Sequence, residues 1–526
     1  MSPKRNPVAK QSGSGVSPLK EDNRKLREAG SVLSQASRTA PITEGAKKRD
    51  QLNERWQRVK LGQVAGVIMG QAPPGDETNF DQRGTVFVKA GEFGPVWPIV
   101  REWTTRPLKH AKAGDVLICV VGATCGKLNL SIDCAIGRSV AALRPSEQIL
   151  DRFLHFQLMP KVLTLRAGST GSAQGVLSRD VLESIDLVLP PIPEQRRIVA
   201  EIEKQFTRLE AGVAALRRVQ ANLKRYRAAV LKAACEGRLV PTEAELQSRS
   251  GVSPLGPGKK RQDAASTFET GEALLARILA ERRKNWQGRG KYKEPKATDI
   301  TNLPPLPEGW IWASVEQLGQ TTTGFTPPKN DQSLFGGSIP LFKPSDLDTG
   351  YYVREFRDSL TGTGAEHGRV LPALSILVTC IGATIGKTGL ARVRCTTNQQ
   401  INALTLPTDL VSPYFVFWIF SSPFGQRQII DKASSTTLPI LNKSRFDALA
   451  IPLPPFSEQT RIVAEVERRL SVVEELEAVV SANLQRASRL RQSILEKAFT
   501  GKQLASGIQN GMGEFIAKNH FRSGKC

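Results

Sequence analysis

The sequence has 526 residues, 40% of them hydrophobic and 23% charged, a globular profile too long for one ordinary core. Lysine and arginine exceed aspartate and glutamate by 23, an excess that points to a polyanionic partner. Seven scattered cysteines without a Cys-x-x-Cys pair and only four histidines argue against a zinc site, and no apolar run is long enough to span a bilayer; reduced thiols and a cytoplasmic location are the expectation.

Residues 1–50 form a basic extension without apolar periodicity, expected to be disordered. A first globular part follows over 51–193. It carries short β-rich runs, Val116–Val121 and Ile185–Leu189, punctuated by Gly and Pro, and a helical stretch at Leu150–Leu165. A long helix is predicted over 194–240. Pro190-Pro191 stops the preceding strand and Pro193 suits a first helical turn. Glu194 puts negative charge at the helix start, and Gly237 suits the left-handed position after its end. Ile202, Phe206, Leu209, Val213, Leu216, Leu223, Val230 and Ala234 fall on the four-and-three steps of a coiled-coil seam.

Residues 241–304 read as a linker. Ser, Gly, Pro and Lys dominate Pro241–Thr267, and a short helix follows at Glu272–Trp286. The second globular part, 305–456, has a strand at Ile376–Ile381 and helical pattern over Pro413–Lys432. A second helix is predicted over 457–504, with Glu458 putting negative charge near its start and Gly501 near its end. Its seam comprises Val466, Leu470, Val473, Val480, Leu484, Ala487, Ile494 and Ala498. A polar tail, 505–526, has no assignable role.

The halves repeat one another. Leu189-Pro-Pro-Ile-Pro-Glu-Gln-Arg-Arg-Ile-Val-Ala returns as Leu453-Pro-Pro-Phe-Ser-Glu-Gln-Thr-Arg-Ile-Val-Ala, and Gly122-Ala-Thr-Cys-Gly-Lys as Gly382-Ala-Thr-Ile-Gly-Lys. Trp56 with Pro73-Pro74 is echoed by Trp312 with Pro327-Pro328. Arg227 and Arg491 interrupt both seams at the same point, suggesting a shared register device, and Glu477 stands where the first copy has Val213. Each helix could pair with the other, antiparallel, or lie on its own globular part. A helix from Glu194 to Glu236 would be about 64 Å long, beyond the roughly 30–40 Å of such a domain, which favours pairing.

Catalysis finds no candidates. Gly382–Thr388 resembles a phosphate loop but is one residue short, and Leu128 stands in the other copy where a magnesium-binding hydroxyl is needed. Strand, not helix, follows each lysine, so a tight turn is the better reading, and Lys127 and Lys387 are turn residues before they are phosphate contacts. No Ser-His-Asp set, cofactor loop or nuclease carboxylate cluster is present, and no metal or catalytic residue is assigned.

The doubled Leu-Pro-Pro-x-x-Glu-Gln helix start, the paired Gly-Ala-Thr-x-Gly-Lys, Glu269-Thr-Gly-Glu-Ala-Leu-Leu, Lys291-Tyr-Lys-Glu-Pro and Leu306-Pro-Glu-Gly-Trp resemble the specificity subunits of type I restriction–modification systems. The resemblance covers about residues 52–505. It implies an α+β chain in which two similar mixed α/β target-recognition domains are separated by a long antiparallel two-helix coiled-coil spacer, with pseudo-twofold repetition. Each domain would read half of a bipartite, asymmetric double-stranded DNA target, and the spacer would fix the gap. It further implies docking of two modification (methyltransferase) subunits and up to two restriction (endonuclease, translocase) subunits. S-adenosylmethionine, ATP and magnesium would serve those partners; this chain would bind no cofactor and no membrane. The alternative is a coiled-coil interaction scaffold with incidental DNA binding.

Base edges and phosphates are met by Arg, Lys, Asn, Gln, Ser and Thr. Candidate DNA contacts in the first domain are Gln71, Lys89, Arg138, Ser139, Thr170, Ser172 and Gln174. In the second they are Thr326, Lys329, Asn330, Lys343, Ser345, Asn398 and Gln399, followed by Ser434, Ser435, Thr436 and Thr437. A solvated loop or structural turn competes with the DNA role at each.

Overall fold

A computed structural model describes residues 56–161, 176–249, 269–287, 290–328, 330–348, 352–353, 355–434 and 438–500. The predicted N-terminal extension, residues 250–268 and 288–289 of the linker, and the tail lie outside the described residues. The chain divides into two compact units, one of Met1–Glu210 with Ala487–Cys526, the other Ala211–Arg486.

In the first unit the strands are β1 (Gln57–Lys60), β2 (Ala65–Met69), β3 (Thr78–Asn79), β4 (Thr85–Val88), β5 (Glu102–Thr104), β6 (His110–Ala111), β7 (Val116–Cys119), β8 (Leu128–Leu130), β9 (Cys134–Ile136), β10 (Val140–Pro145) and β11 (Asp186–Leu189). They form a four-stranded sheet in the order β2-β10-β7-β8, a five-stranded sheet β3-β5-β4-β9-β6, and the pair β1-β11. Helix α1 (Asp151–Leu158) packs Phe153 and Leu154 into the core beneath the first sheet. The long α2 (Ile192–Cys235) starts after Pro190-Pro191.

The second unit repeats this plan. Ahead of its first strand lies α3 (Gly271–Lys284), N-capped by the Thr270 hydroxyl. Its strands are β12 (Ile311–Ser314), β13 (Gln320–Thr323), β14 (Phe335–Phe342), β15 (Tyr352–Val353), β16 (Ser359–Leu360), β17 (Ile376–Thr379), β18 (Thr388–Ala391), β19 (Thr396–Thr397), β20 (Ile401–Thr405) and β21 (Ala450–Leu453). The sheets run β13-β20-β17-β18-β15, β16-β14-β19 and β12-β21. The apolar stretch after Ser412 becomes two helices, α4 (Pro413–Ser421) and α5 (Pro423–Lys432). The break falls at Ser422, whose buried hydroxyl accepts from the Gly425 N–H and caps α5. The second long helix, α6, runs Phe456–Phe499.

Both long helices contribute to both units. In the first, Ile198, Val199, Ile202 and Phe206 of α2 share one core with Ile494, Leu495 and Ala498 of α6. Phe499 meets Phe153 edge-on, with ring centres 5.4 Å apart. In the second, Leu216 and Leu223 pack with Val473, Val480 and Leu484. Further along, Val230, Leu231 and Ala234 join Ile462, Val466 and Leu470 in the domain core. Within the second unit rising numbers on α2 meet falling numbers on α6, so these segments pack antiparallel. The seam residues named from sequence are buried or half-buried throughout. The seam's interruptions are ion pairs. Arg227 reaches Glu474 at 3.6 Å and Glu477 at 3.5 Å in the second unit. Arg491 reaches Glu210 at 3.6 Å in the first and lies over the Phe206 ring. Gly237 has φ +64° and the Arg238 N–H returns to the Ala233 carbonyl, closing α2 as its glycine requires.

One equivalence drawn from sequence needs correction. Trp56 corresponds to Trp310, not Trp312. Trp56 and Trp310 each stand immediately before the strand that pairs with the last strand of their domain. Each donates its indole N–H to the glutamate at the start of the following long helix, Trp56 to Glu194 at 3.1 Å and Trp310 to Glu458 at 2.9 Å. Trp312 instead donates to the Pro304 carbonyl and packs against Phe424. The spacing to the Pro-Pro pairs agrees: Pro73 lies 17 positions after Trp56, and Pro327 lies 17 positions after Trp310.

Candidate nucleic-acid interface

In the first domain the parallel pair β4 and β9 brings two chain turns together, with Phe87 opposite Ala135 and Val88 opposite Ile136. The Gly137 N–H donates to the Val88 carbonyl at 3.0 Å, and the Gln71 N–H to the Ile136 carbonyl at 3.0 Å. The Ser139 hydroxyl accepts from the Ala90 N–H at 3.2 Å. Gln71, Lys89, Arg138 and Ser139 therefore converge at one end of this sheet. Lys89 is ion-paired with the buried carboxylate of Glu102 and sits 5.6 Å from the centre of the Phe87 ring. Arg138 is exposed and makes no ion pair among the described residues.

The second domain repeats the arrangement except for the Ala90–Ser139 bond, whose counterpart would need an N–H that Pro344 lacks. Strands β14 and β19 are parallel, with Leu341 opposite Thr396 and Phe342 opposite Thr397. The Asn398 N–H donates to the Phe342 carbonyl at 3.1 Å, as Gly137 does to Val88, and the Phe325 N–H to the Thr397 carbonyl at 2.8 Å, as Gln71 does to Ile136. Lys343 pairs with Asp358, the counterpart of Lys89 with Glu102. The lysine backbone N–H is held in both copies by the acid three residues on, Glu92 at 2.9 Å and Asp346 at 2.8 Å. Thr326 donates to the Gln399 side-chain oxygen at 3.0 Å, so these two and Lys343 gather at one sheet end.

The other candidates fall differently. Asn398 is buried, and its amide is spent within the turn on Gln400. Ser345 is exposed and donates to Asp346. Asn330 is exposed on the loop after β13. Ser434 closes a separate loop, its backbone and hydroxyl both bonded to Ile440. Thr170, Ser172, Gln174, Lys329, Ser435, Thr436 and Thr437 lie outside the described residues.

The Gly-Ala-Thr-x-Gly-Lys segments are turns between antiparallel strands. Gly126 and Gly386 have φ +83° and +88°, and their N–H groups donate back to Cys119 and Thr379 across the turn. Strands β8 and β18 leave directly from the lysines, and Lys127 spends its ammonium on the Phe93 carbonyl at 2.5 Å. Buried thiols are equally structural: burial pushes Cys134 up to about 11 and Cys235, Cys380 and Cys395 up to about 12. Among the described residues no group of His, Cys, Asp and Glu could hold a metal ion, and no helix is long and apolar enough to cross a membrane.

Sequence reasoning missed what the Glu-Gln pair of each helix start does. Glu458 is buried and takes the Trp310 indole and the Glu243 N–H. Gln459 accepts from the Ser412 N–H at 2.9 Å and donates to the Pro454 carbonyl, while Gln195 accepts from Leu150 and donates to Gln148 and Pro190. Each pair ties the head of a long helix to its domain. The identity of both residues in both copies was the available signal.

Fold and site together define a duplicated recognition protein: one frame used twice, each presenting a polar turn at a sheet end. A family model described as the type I restriction modification DNA specificity domain matches residues 53–215 and 307–478, more than half of the chain, and the chain belongs to that family. Membership makes it a sequence-specific DNA-recognition protein without catalysis of its own. It is 23% identical over 471 residues to the type I restriction enzyme EcoBI specificity subunit of Escherichia coli, spanning 86% of this chain and 87% of that one. It is 31% identical over 173 residues to the HindI specificity subunit of Haemophilus influenzae, spanning 32% of this chain and 37% of that protein. Its fold is similar to a chain from a structure on complex assembly and conformational transition of the type I R-M system, with a TM-score of 0.59 at 20% identity, covering 86% of this chain and all of that one.

Proposed function

We propose that each domain reads one half of a bipartite, asymmetric duplex target through the turns that follow its parallel strand pair. In this reading α2 and α6 form the spacer that fixes the gap between the half-sites. The observation that carries it is the repetition of one hydrogen-bonded frame with different side chains in it: Arg138 and Ser139 in the first copy stand where Gln399 and Gln400 stand in the second. Equal frames with unequal edges suit unequal half-sites on one DNA.

The spacer reading draws support from the antiparallel packing of α2 and α6 within the second unit. Duplex DNA, two modification subunits and up to two restriction subunits are the partners in this reading. Those subunits supply S-adenosylmethionine-dependent methylation and ATP- and magnesium-dependent cleavage. The setting is the cytoplasm.

Inserting one heptad at matched positions of α2 and α6 tests the spacer. It lengthens the pair by about 10.5 Å, or roughly three base pairs. Methylated adenines mapped in cells carrying the variant and its modification subunit should show the same half-sites separated by a wider gap. An unchanged gap would overturn the proposal.

A further inference from the structure

The loop between β4 and β5 of the first domain exposes four apolar side chains in close succession: Val96, Trp97, Ile99 and Val100, each 40–45% exposed. Exposure of this kind usually marks a slack loop or a contact surface, and this loop is not slack. The Gly94 N–H donates to the Trp97 carbonyl at 3.2 Å, Ile99 donates to Glu92 at 2.6 Å, and the Leu130 N–H donates to the Val96 carbonyl at 2.8 Å. Phe93 and Pro98 form a bridge across its base.

Beneath it lies Asn129, fully buried in β8. Its amide oxygen accepts from the Gly94 N–H at 3.1 Å and its amide nitrogen donates to the Gly94 carbonyl at 3.0 Å. A buried amide costs stability unless both its functions are used, and here both are spent on this loop. In the second domain the same strand position is Gly389, over which Val353 and Leu347 close instead. Tyr352 there meets Tyr414 and lies under Arg392. The first domain thus holds an apolar tip out into solvent by a dedicated clamp that its twin lacks.

The surroundings of the tip are cationic. Arg101 follows it directly, Lys127 binds its first carbonyl, and Arg138 stands in the adjoining turn; none of the three makes an ion pair among the described residues. A rigid apolar tip with Lys127 at its start and Arg101 at its end matches a polyanion with apolar faces between its charges, and duplex DNA has that composition.

We propose that residues 93–100 form a preformed wedge that packs against the bases of the first half-site with Trp97 leading, so that the first domain reads base-step deformability as well as base edges. This rests on the DNA-reading assignment above. Contact of this kind displaces no counterions, so it adds affinity without adding salt dependence.

The test uses the full chain assembled with its modification subunits, and a duplex carrying the target mapped from genomic methylation. Trp97→Ala should weaken target binding about tenfold or more, the scale of one lost stacking contact, with an unchanged slope of log affinity against log salt. Trp97→Phe should recover most of the loss, and Asn129→Gly should reproduce it by freeing the loop. Target affinity unchanged in Trp97→Ala would overturn the wedge. So would a Trp97→Ala chain that no longer retains modification subunits but binds DNA normally once assembled, which would make the tip a protein contact. Failure of the wild-type complex to prefer its mapped target would instead sink the DNA-reading assignment itself.

Discussion

The indole N–H of Trp310 donates to the Glu458 carboxylate at 2.9 Å, joining the residue before the second domain's first strand to the head of the helix that leaves it. Glu458 is 1% exposed, and burial raises its carboxyl above the usual glutamate range. Removing either partner strands a buried polar group. Trp310→Phe should therefore lower the second domain's stability by about 1–3 kcal/mol. Gln459→Ala, which orphans the Ser412 N–H and the Pro454 carbonyl together, should cost at least as much. Hydrogen exchange localised to residues 410–470 would register both; unchanged protection in both would refute the clamp.

His155 gives the first domain an acid limit. It is 3% exposed, and burial, helped by Arg152 and Arg491, lowers it to about 4. Its unfolded value of 6.5 is higher, so below pH 6.5 the unfolded chain takes up a proton that the folded domain refuses. Stability should fall as pH drops from 6.5 toward 4, by about 2 kcal/mol at pH 5. His155→Leu should flatten that stretch of a melting-temperature profile while leaving the region above pH 7 little changed.

Arg138 and Lys343 predict opposite salt behaviour. Arg138 makes no ion pair among the described residues, so its contact with a phosphate would release a counterion. The Lys343 charge is already balanced by Asp358. Arg138→Gln should reduce the salt slope of target binding by about one, and Lys343→Gln should leave the slope nearly as it was. Titrations at several salt concentrations separate the two.

The cross-helix pairs should contribute little energy. Arg227 and Glu477 are each about a third exposed and Glu474 is more so. Arg227→Ala should cost no more than about 1 kcal/mol, with the loss shrinking in high salt. A much larger, salt-independent loss in thermal unfolding would mean that the arginine is packing rather than pairing.

The long helices were legible because a coiled-coil seam is a property of one segment, written in its own spacing. From Ile202 to Ala234 and from Val466 to Ala498 every apolar position named from sequence is buried or half-buried. The duplication was legible for the same reason, and so was the tight glycine turn, whose geometry is local. What escaped was non-local. Nothing in the neighbourhood of Trp310 reveals that its partner is Glu458, and Asn129 looks like any polar residue in a strand until Gly94 is placed above it. Among the candidate contacts, sequence supplied residue types that suit DNA. Only folding shows that the Asn398 amide is used inside its own turn while Arg138 makes no ion pair among the described residues.

The sharing of core by remote segments has a consequence in time. The first domain is roofed by Ile494, Leu495 and Ala498, which emerge from the ribosome long after Leu189 has finished the domain's last strand. At about 5–20 residues per second, the nascent domain waits on the order of tens of seconds before α6 completes the core around Ile198, Ile202 and Phe206. The second domain has no such delay, because its α2 contribution is made before it. Translation speed and chaperone supply should therefore bear on the two heads unequally, and arrest of synthesis near Arg486 should expose the first head to aggregation while sparing the second.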